Sequence, residues 1–355
     1  MVDAIVVPTA RNVATLTSAV ALAEKLRATL VTLCSKWSSA SEVAKFVKGR
    51  RVRLIAIDVG ALPAGAVPTF QTSGILAGTR FERRTDISLK RNLGLILARL
   101  MGWERIVFLD DDIEVPRARD LSEAAGLTDQ YAGVGLKIDG MPDNSVVCHA
   151  FRAAGGDQDV FIGGGALAVG TKYLTSFFPN IYNEDWFFLL DDDGLSPATW
   201  TGRAVQQEYD PFREERARME ELGDCLAEGL FWLLDSGRSL RDATLEHWRH
   251  FLHARAKFIT DVIDRVERMG GDPAERHRML VSLKAARGRC KTIEPELCVE
   301  YLDAWRADRV TWRHHVEEIR SPFLPGEVRG KQDVHDLFRS FLRIPDRAMH
   351  LILRK

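Results

Sequence analysis

The chain has 355 residues, with 49 basic and 50 acidic side chains, a formal charge of −1, 46% hydrophobic and 28% charged residues. This composition excludes disordered, collagen-like and coiled-coil classes for the chain as a whole. The near-zero charge argues against a dedicated binder of nucleic acid polymers, which carries a basic excess, and the length suits two domains or one large domain with an extension.

Residues 4–8 are a short apolar run closed by Pro8, the pattern of a buried strand. Residues 12–26 carry Leu16, Ala19, Val20, Ala23 and Leu26 at three- and four-residue steps and predict a helix. Residues 29–34 read as a second strand, 41–47 as a short helix capped by Ser39 or Ser41, and 52–59 as a third strand. Residues 60–78 contain glycine and proline and read as loop. Residues 87–101 form an amphipathic helix closed by Gly102. Residues 104–109 are a fourth strand that runs into Asp110-Asp111-Asp112, and 131–138 and 161–169 are further strands. Strands separated by helices imply an α/β fold, a mixed sheet flanked by helices. Ligands of such folds sit beyond the carboxyl ends of the strands.

After Pro211 the texture changes. Segments 213–234, 245–269, 275–286, 296–319 and 334–342 all read as helices, broken at Gly270-Gly271-Asp272-Pro273 and Ser321-Pro322. Of the 27 glycines, 19 precede residue 211. The expected organisation is an α/β domain over 1–210 and a helical region over 211–355. The five cysteines have no CxxC spacing and suggest reduced, buried thiols. No apolar run reaches membrane-spanning length and no signal peptide is evident, so the expected location is cytoplasmic.

Four constellations could carry chemistry. Asp110-Asp111-Asp112 leaves an apolar strand at its carboxyl end, and in extended backbone Asp110 and Asp112 would face the same way. Two such carboxylates make a hard-oxygen site for Mg²⁺ or Mn²⁺, although an acidic triplet can also be merely solvated. Asn183 is a good N-cap, which would put Glu184 and Asp185 in a first helical turn, as proton acceptors or as helix-stabilising charges. Gly163-Gly164-Gly165 would let backbone approach a ligand, or form a simple bulge. Arg80, Arg83, Arg84, Lys90 and Arg91 would suit a diphosphate, or a solvated helix face.

In this order, with Val6-Val7-Pro8-Thr9 and Lys90-Arg91-Asn92-Leu93-Gly94, the first 210 residues resemble the GT-A class of nucleotide-sugar glycosyltransferases, near its family-2-like branch. Asp110-Asp111-Asp112 matches the DxD motif and Glu184-Asp185 the ED motif of that class. The resemblance implies a Rossmann-like catalytic domain that moves a sugar from a UDP- or GDP-linked donor to a hydroxyl acceptor, with Mg²⁺ or Mn²⁺. It implies that Pro8, Thr9 and Arg11 line the nucleotide pocket and that Lys90 and Arg91 face the base or diphosphate. Asp110 and Asp111 would contact the ribose side, Asp112 would be the main metal ligand with Asp110 sharing it, and Gly164 and Gly165 would border the sugar or acceptor. Asp185 would be the base of an inverting enzyme and Glu184 would hold substrate hydroxyls. The chain departs from many of these relatives in having Cys34-Ser35-Lys36 where an acidic residue reads the nucleobase, and in having no histidine over residues 205–210.

Two other readings stand beside this one. A sugar nucleotidyltransferase of the same fold would need a glycine- and arginine-rich loop after the first strand, where this chain has Pro8-Thr9-Ala10-Arg11-Asn12. A non-catalytic nucleotide-sugar-binding or scaffold protein would use the helical half as a partner surface. The expected acceptor is small and soluble, and the helical half could bury a homodimer interface. Asp191-Asp192-Asp193 reads as surface or acceptor site, and His247, His250 and His253 as packing or surface rather than zinc ligands. Trp186, Phe187, Phe188 and Trp200 read as core or as a platform for a sugar face.

Overall fold

The structure, a computed structural model, describes residues 1–141, 145–158, 161–323 and 330–353. Among the described residues, nine strands form one sheet: β1 (Ala4–Thr9), β2 (Thr29–Cys34), β3 (Arg53–Asp58), β4 (Arg105–Leu109), β5 (Ile113–Glu114), β6 (Gly133–Gly140), β7 (Ala166–Gly170), β8 (Ala198–Gln206) and β9 (Met349–Ile352). Their order is β5-β8-β6-β7-β4-β1-β2-β3-β9. The stretch β4-β1-β2-β3 is parallel, whereas β7 runs antiparallel to both β4 and β6.

The central strands are buried on both faces, which explains why they read as continuous apolar runs. Ala4 and Val6 face a cluster that includes Phe108, Leu93 and Leu97, while Ile5 and Val7 face the cluster of Leu30, Val107 and Leu109. Helix Ile87–Leu100 crosses the first of these faces at Gly94, where a Cβ would come within 2.9 Å of both Val6 and Phe108. The second face is covered by helices Thr17–Leu26, Ala40–Phe46 and Ala118–Leu127.

Beyond Pro211 lie helices Glu214–Asp235, Leu245–Arg268, Pro273–Cys290, Pro295–Glu318 and Lys331–Phe341. Packing crosses the expected boundary at residue 210. One continuous apolar cluster joins Trp248, Tyr301, Trp305 and Trp312 to Phe108, Phe177 and Phe187. The chain then returns to the sheet as β9, antiparallel to β3 with Ile55 opposite Leu351.

Residues 60–78, read as loop, contain a short helix, Gln71–Leu76. Its first amides, on Gln71 and Thr72, donate to the Asp308 carboxylate at 2.7 and 2.9 Å. The helix is thus capped by a residue more than 200 positions away, which local pattern cannot reveal. The triplet Asp191-Asp192-Asp193 belongs to the same seam: Asp192 pairs with Arg309 at 3.0 Å and Arg313 at 3.3 Å, and Asp193 with Arg241 at 2.6 Å. The five cysteines are free and buried. Among the described residues, no helix is long and apolar enough to cross a membrane.

Candidate active site

Two adjoining cavities, an inner and an outer lobe of one cleft, open at the carboxyl end of β4. The inner lobe, about 360 Å³, is lined by Arg83, Arg91, Asp110, Glu184, Asp185 and Trp186 from the sheet side, and by Arg216, Glu220, Asp224 and Glu228 from helix Glu214–Asp235. The outer lobe, about 670 Å³, is lined by Arg11, Asp110, Asp112, Tyr209, Arg213 and Arg216. Asp110, Arg216 and Met219 border both lobes.

The acidic triplet is a turn rather than extended chain. The Ile113 amide donates to the Asp110 carbonyl at 3.1 Å, and the Asp110 amide donates to the Gly165 carbonyl at 2.9 Å. The turn sends the three carboxylates to different partners. Asp111 accepts from the Thr9 hydroxyl at 2.7 Å and from Arg11 at 2.5 Å. Asp112 accepts from the other Arg11 nitrogen at 2.8 Å. Both oxygens of Asp110 lie 3.1 Å from Arg91 Nη2. Asp110 and Asp112 nevertheless line one lobe together, while Asp111 is buried away from the lining.

The expected basic contacts are redistributed. Lys90 is 1% exposed and does not line either lobe. Its amino group donates to the Thr9 carbonyl at 2.9 Å and the Ser35 hydroxyl at 2.7 Å, and pairs with Asp86 at 2.9 Å. It therefore ties the ends of β1 and β2 to helix Ile87–Leu100, and its burial lowers its pKa despite Asp86. Arg91 is also buried, with its guanidinium between Asp110 and Glu184, 2.9 Å from the latter, and 5.6 Å from the centre of the Phe178 ring. Burial opposes its charge, but Asp110, Glu184 and Asp185 outweigh burial and raise its pKa. A side chain at Gly164 would run into that guanidinium, so glycine there makes room for Arg91.

Glu184 and Asp185 do begin a helix, Glu184–Leu189. Asn183 precedes it, but in left-handed backbone (φ 62°), and its side chain donates to Asp224 at 3.0 Å instead of capping the helix. Glu184 is buried between Arg83 (2.8 Å) and Arg91 (2.9 Å). Burial alone would raise its pKa, yet the two arginines bring it below the ordinary value. Asp185 accepts from the Gly164 amide and from the Trp186 amide, and it lines the inner lobe.

The sequence thus named Arg11, Arg91, Asp110, Asp112, Glu184 and Asp185, all of which line the cleft. Pro8 and Thr9 are buried in β1, and Gly164 and Gly165 form a backing turn; none of them is among the lining residues. Trp186 packs with Phe161 and Phe231 at ring distances of 5.2 and 4.8 Å along the inner lobe, while Phe187 and Phe188 are core. Trp200 stands 61% exposed on β8, with Lys137 beside its ring. His247 is buried against the Gly229 carbonyl at 3.0 Å, and His250 lies on the surface.

Sequence reading missed the helical wall. Glu220, Asp224 and Glu228 recur at four-residue steps, which aligns them on one helix face, and that spacing was the available signal. All three line the inner lobe, and burial raises the pKa of Glu220 to about 7 in spite of Arg216.

Asp110 and Asp112 fit a hard divalent cation by chemistry. Each is a carboxylate on one lobe, and a carboxylate paired with arginine keeps further lone pairs. Among the described residues, the group that draws three metal-binding atoms together is Glu221, Cys225 and Cys290, in the helical interior rather than at the cleft.

No protein-family model matches the chain, and no curated protein matches it. Among solved structures the chain is similar to the mannosyltransferase PcManGT from Pyrobaculum calidifontis, in complex with GDP-Man and Mn²⁺. The two are 12% identical, with 96% of this chain and 84% of that one covered and a TM-score of 0.37.

Proposed function

We propose that the cleft transfers a sugar from a nucleoside diphosphate donor to a hydroxyl acceptor. The observation that carries this reading is the placement of Asp110 on both lobes, which joins the Asp185 lobe to the lobe of Arg11 and Asp112. A donor lying across that junction has its diphosphate in the outer lobe and its sugar beside Asp185. The acceptor oxygen attacks the anomeric carbon and its proton passes to the Asp185 carboxylate. The bond from that carbon to the diphosphate oxygen breaks, and the electron pair leaves with the diphosphate. Configuration at the carbon is inverted.

The other residues position these two sites. The amides of Gly164 and Trp186 hold the Asp185 carboxylate in place. Arg91 links Asp110 to Glu184, so Glu184 acts through Arg91 and not on substrate directly. Asp110 and Asp112 would hold Mg²⁺ or Mn²⁺, which supplies positive charge to the leaving diphosphate when bound. With two protein carboxylates, the remaining ligands would come from diphosphate and water, an arrangement common for Mg²⁺.

The test is calorimetry with UDP- and GDP-linked sugars, with and without Mn²⁺, followed by turnover with a panel of hydroxyl acceptors. The expected result is metal-dependent donor binding and acceptor-dependent release of the nucleoside diphosphate. Metal-dependent binding with neither hydrolysis nor transfer across a broad panel would instead indicate a non-catalytic binding protein.

A further inference from the structure

The cations on the sheet side of the cleft are held by carboxylates, Arg11 and Arg91 by two each. Lys90 is buried on Asp86, Arg91 bridges Asp110 and Glu184, Arg83 pairs with Glu184, and Arg11 pairs with Asp111 and Asp112. Yet the outer lobe, where the proposed function puts the diphosphate, is lined by two further arginines, Arg213 and Arg216. Of these, Arg213 is exposed, whereas Arg216 has a built setting. Its Nε donates to Glu220, its guanidinium lies 4.6 Å from the centre of the Tyr209 ring, and the Tyr209 hydroxyl is 2.8 Å from His149 Nε2.

We infer that Arg216, on the first helix of the helical region, is the cation that receives the leaving diphosphate. This assignment rests on the nucleotide-sugar reading of the cleft. Arg216 borders both lobes and so stands at the junction where the sugar–diphosphate bond breaks. When that bond breaks, the electron pair stays on the diphosphate oxygen, and the N–H groups of Arg216 donate to the oxygen that gains charge. Preorganisation comes from the surroundings: the Tyr209 ring under the guanidinium and Glu220 at Nε hold its plane fixed before substrate arrives.

Two further features favour this role. Burial raises the Glu220 carboxyl to about 7 in spite of Arg216, so the counter-charge of Arg216 is weaker than that of an ordinary carboxylate. Burial, with Arg216 and Arg152 nearby, pushes His149 down to about 4, so the residue behind Tyr209 is neutral and adds no competing cation. The helical region is then a working part of the site rather than an appendage.

The test uses the full chain and its R216A, R216K and R216Q variants, with GDP, UDP, guanosine and uridine as calorimetric probes in Mn²⁺, and donor turnover measured alongside. In R216A and R216Q, affinity for the diphosphate that the wild type binds should fall about tenfold or more, while affinity for the matching nucleoside stays within about twofold. Turnover should fall about 100-fold, with partial recovery in R216K. Equal losses for nucleoside and diphosphate would mark a structural disturbance and overturn the assignment, as would wild-type binding and turnover in R216A. Should R216A fail to fold, R216K and R216Q carry the same comparison. If the wild type binds neither GDP nor UDP and turns over no donor, the nucleotide-sugar reading falls together with this inference. If the wild type does both and R216Q matches it, the Arg216 assignment alone falls.

Discussion

The two walls of the cleft treat buried charge in opposite ways. On the sheet wall, Arg91 and Arg83 face Asp110 and Glu184, and the pKa of Glu184 is lowered. On the helical wall, Glu220, Glu221, Asp224 and Glu228 share Arg216 and Arg255. Four carboxylates against two guanidiniums leave an acidic excess, and burial raises both Glu220 and Glu221 to about 7. The sheet wall is therefore a fixed ionic frame, while the helical wall changes charge near neutrality. A carboxylate's burial alone does not decide its state; the number of cations that reach it does.

The strongest way to break this contrast is to remove Arg91. An R91M variant strips the buried Glu184 of one of its two arginines and removes the arginine beside the partly exposed Asp110, at a cost of about 3–5 kcal/mol. Chemical denaturation would measure it, and a loss below about 1 kcal/mol would contradict the fixed-frame description.

The pH dependence of stability probes the other wall. Glu220 and Glu221 titrate near 7 when folded and near the ordinary 4.5 when unfolded, so the native state binds more protons between those values. Their contribution is full below about 4.5 and is lost as pH rises towards 7. Glu184 acts in the opposite sense, stabilising above its ordinary value and losing that contribution in acid. Denaturation curves between pH 5 and 8 should show a decline of up to about 3 kcal/mol per raised carboxyl, flattened in E220Q and E221Q. A profile unchanged by either substitution would remove the contrast.

Smaller effects are expected at the seam between the regions. Arg309 is 3% exposed and donates to Asp192, the Ser176 hydroxyl and the Leu190 carbonyl. R309A should cost about 1.5–3 kcal/mol and lower one shared unfolding transition rather than divide it in two. D192N, whose side chain is 57% exposed, should cost only about 0.2–1 kcal/mol. Calorimetric melts would show whether the regions separate.

Much of the frame was legible because it is written in local pattern. The strand Thr29–Cys34 and helix Ile87–Leu100 follow from continuous apolar runs and from period. The acidic triplet stood out because it ends an apolar strand. The rest depended on distant partners. Lys90 and Arg91 look like a solvated, anion-binding pair until Ser35, Asp110 and Glu184 are brought to them by the fold. Strand β8 was missed because much of it is partly exposed and polar, and β9 because a four-residue edge strand carries too little pattern. The helical wall was missed because nothing in residues 214–235 says which neighbour their polar face meets.

The central claim is that Asp185 takes the acceptor proton at a site joined through Asp110 to the donor's diphosphate. The most direct measurement compares D185N with D112N for Mn²⁺-dependent donor binding and for turnover. D185N should bind donor as the wild type does and lose turnover by about 10²–10⁴-fold, whereas D112N should lose the metal-dependent binding itself. Turnover undiminished in D185N, or metal-dependent binding unchanged in D112N, would contradict the account.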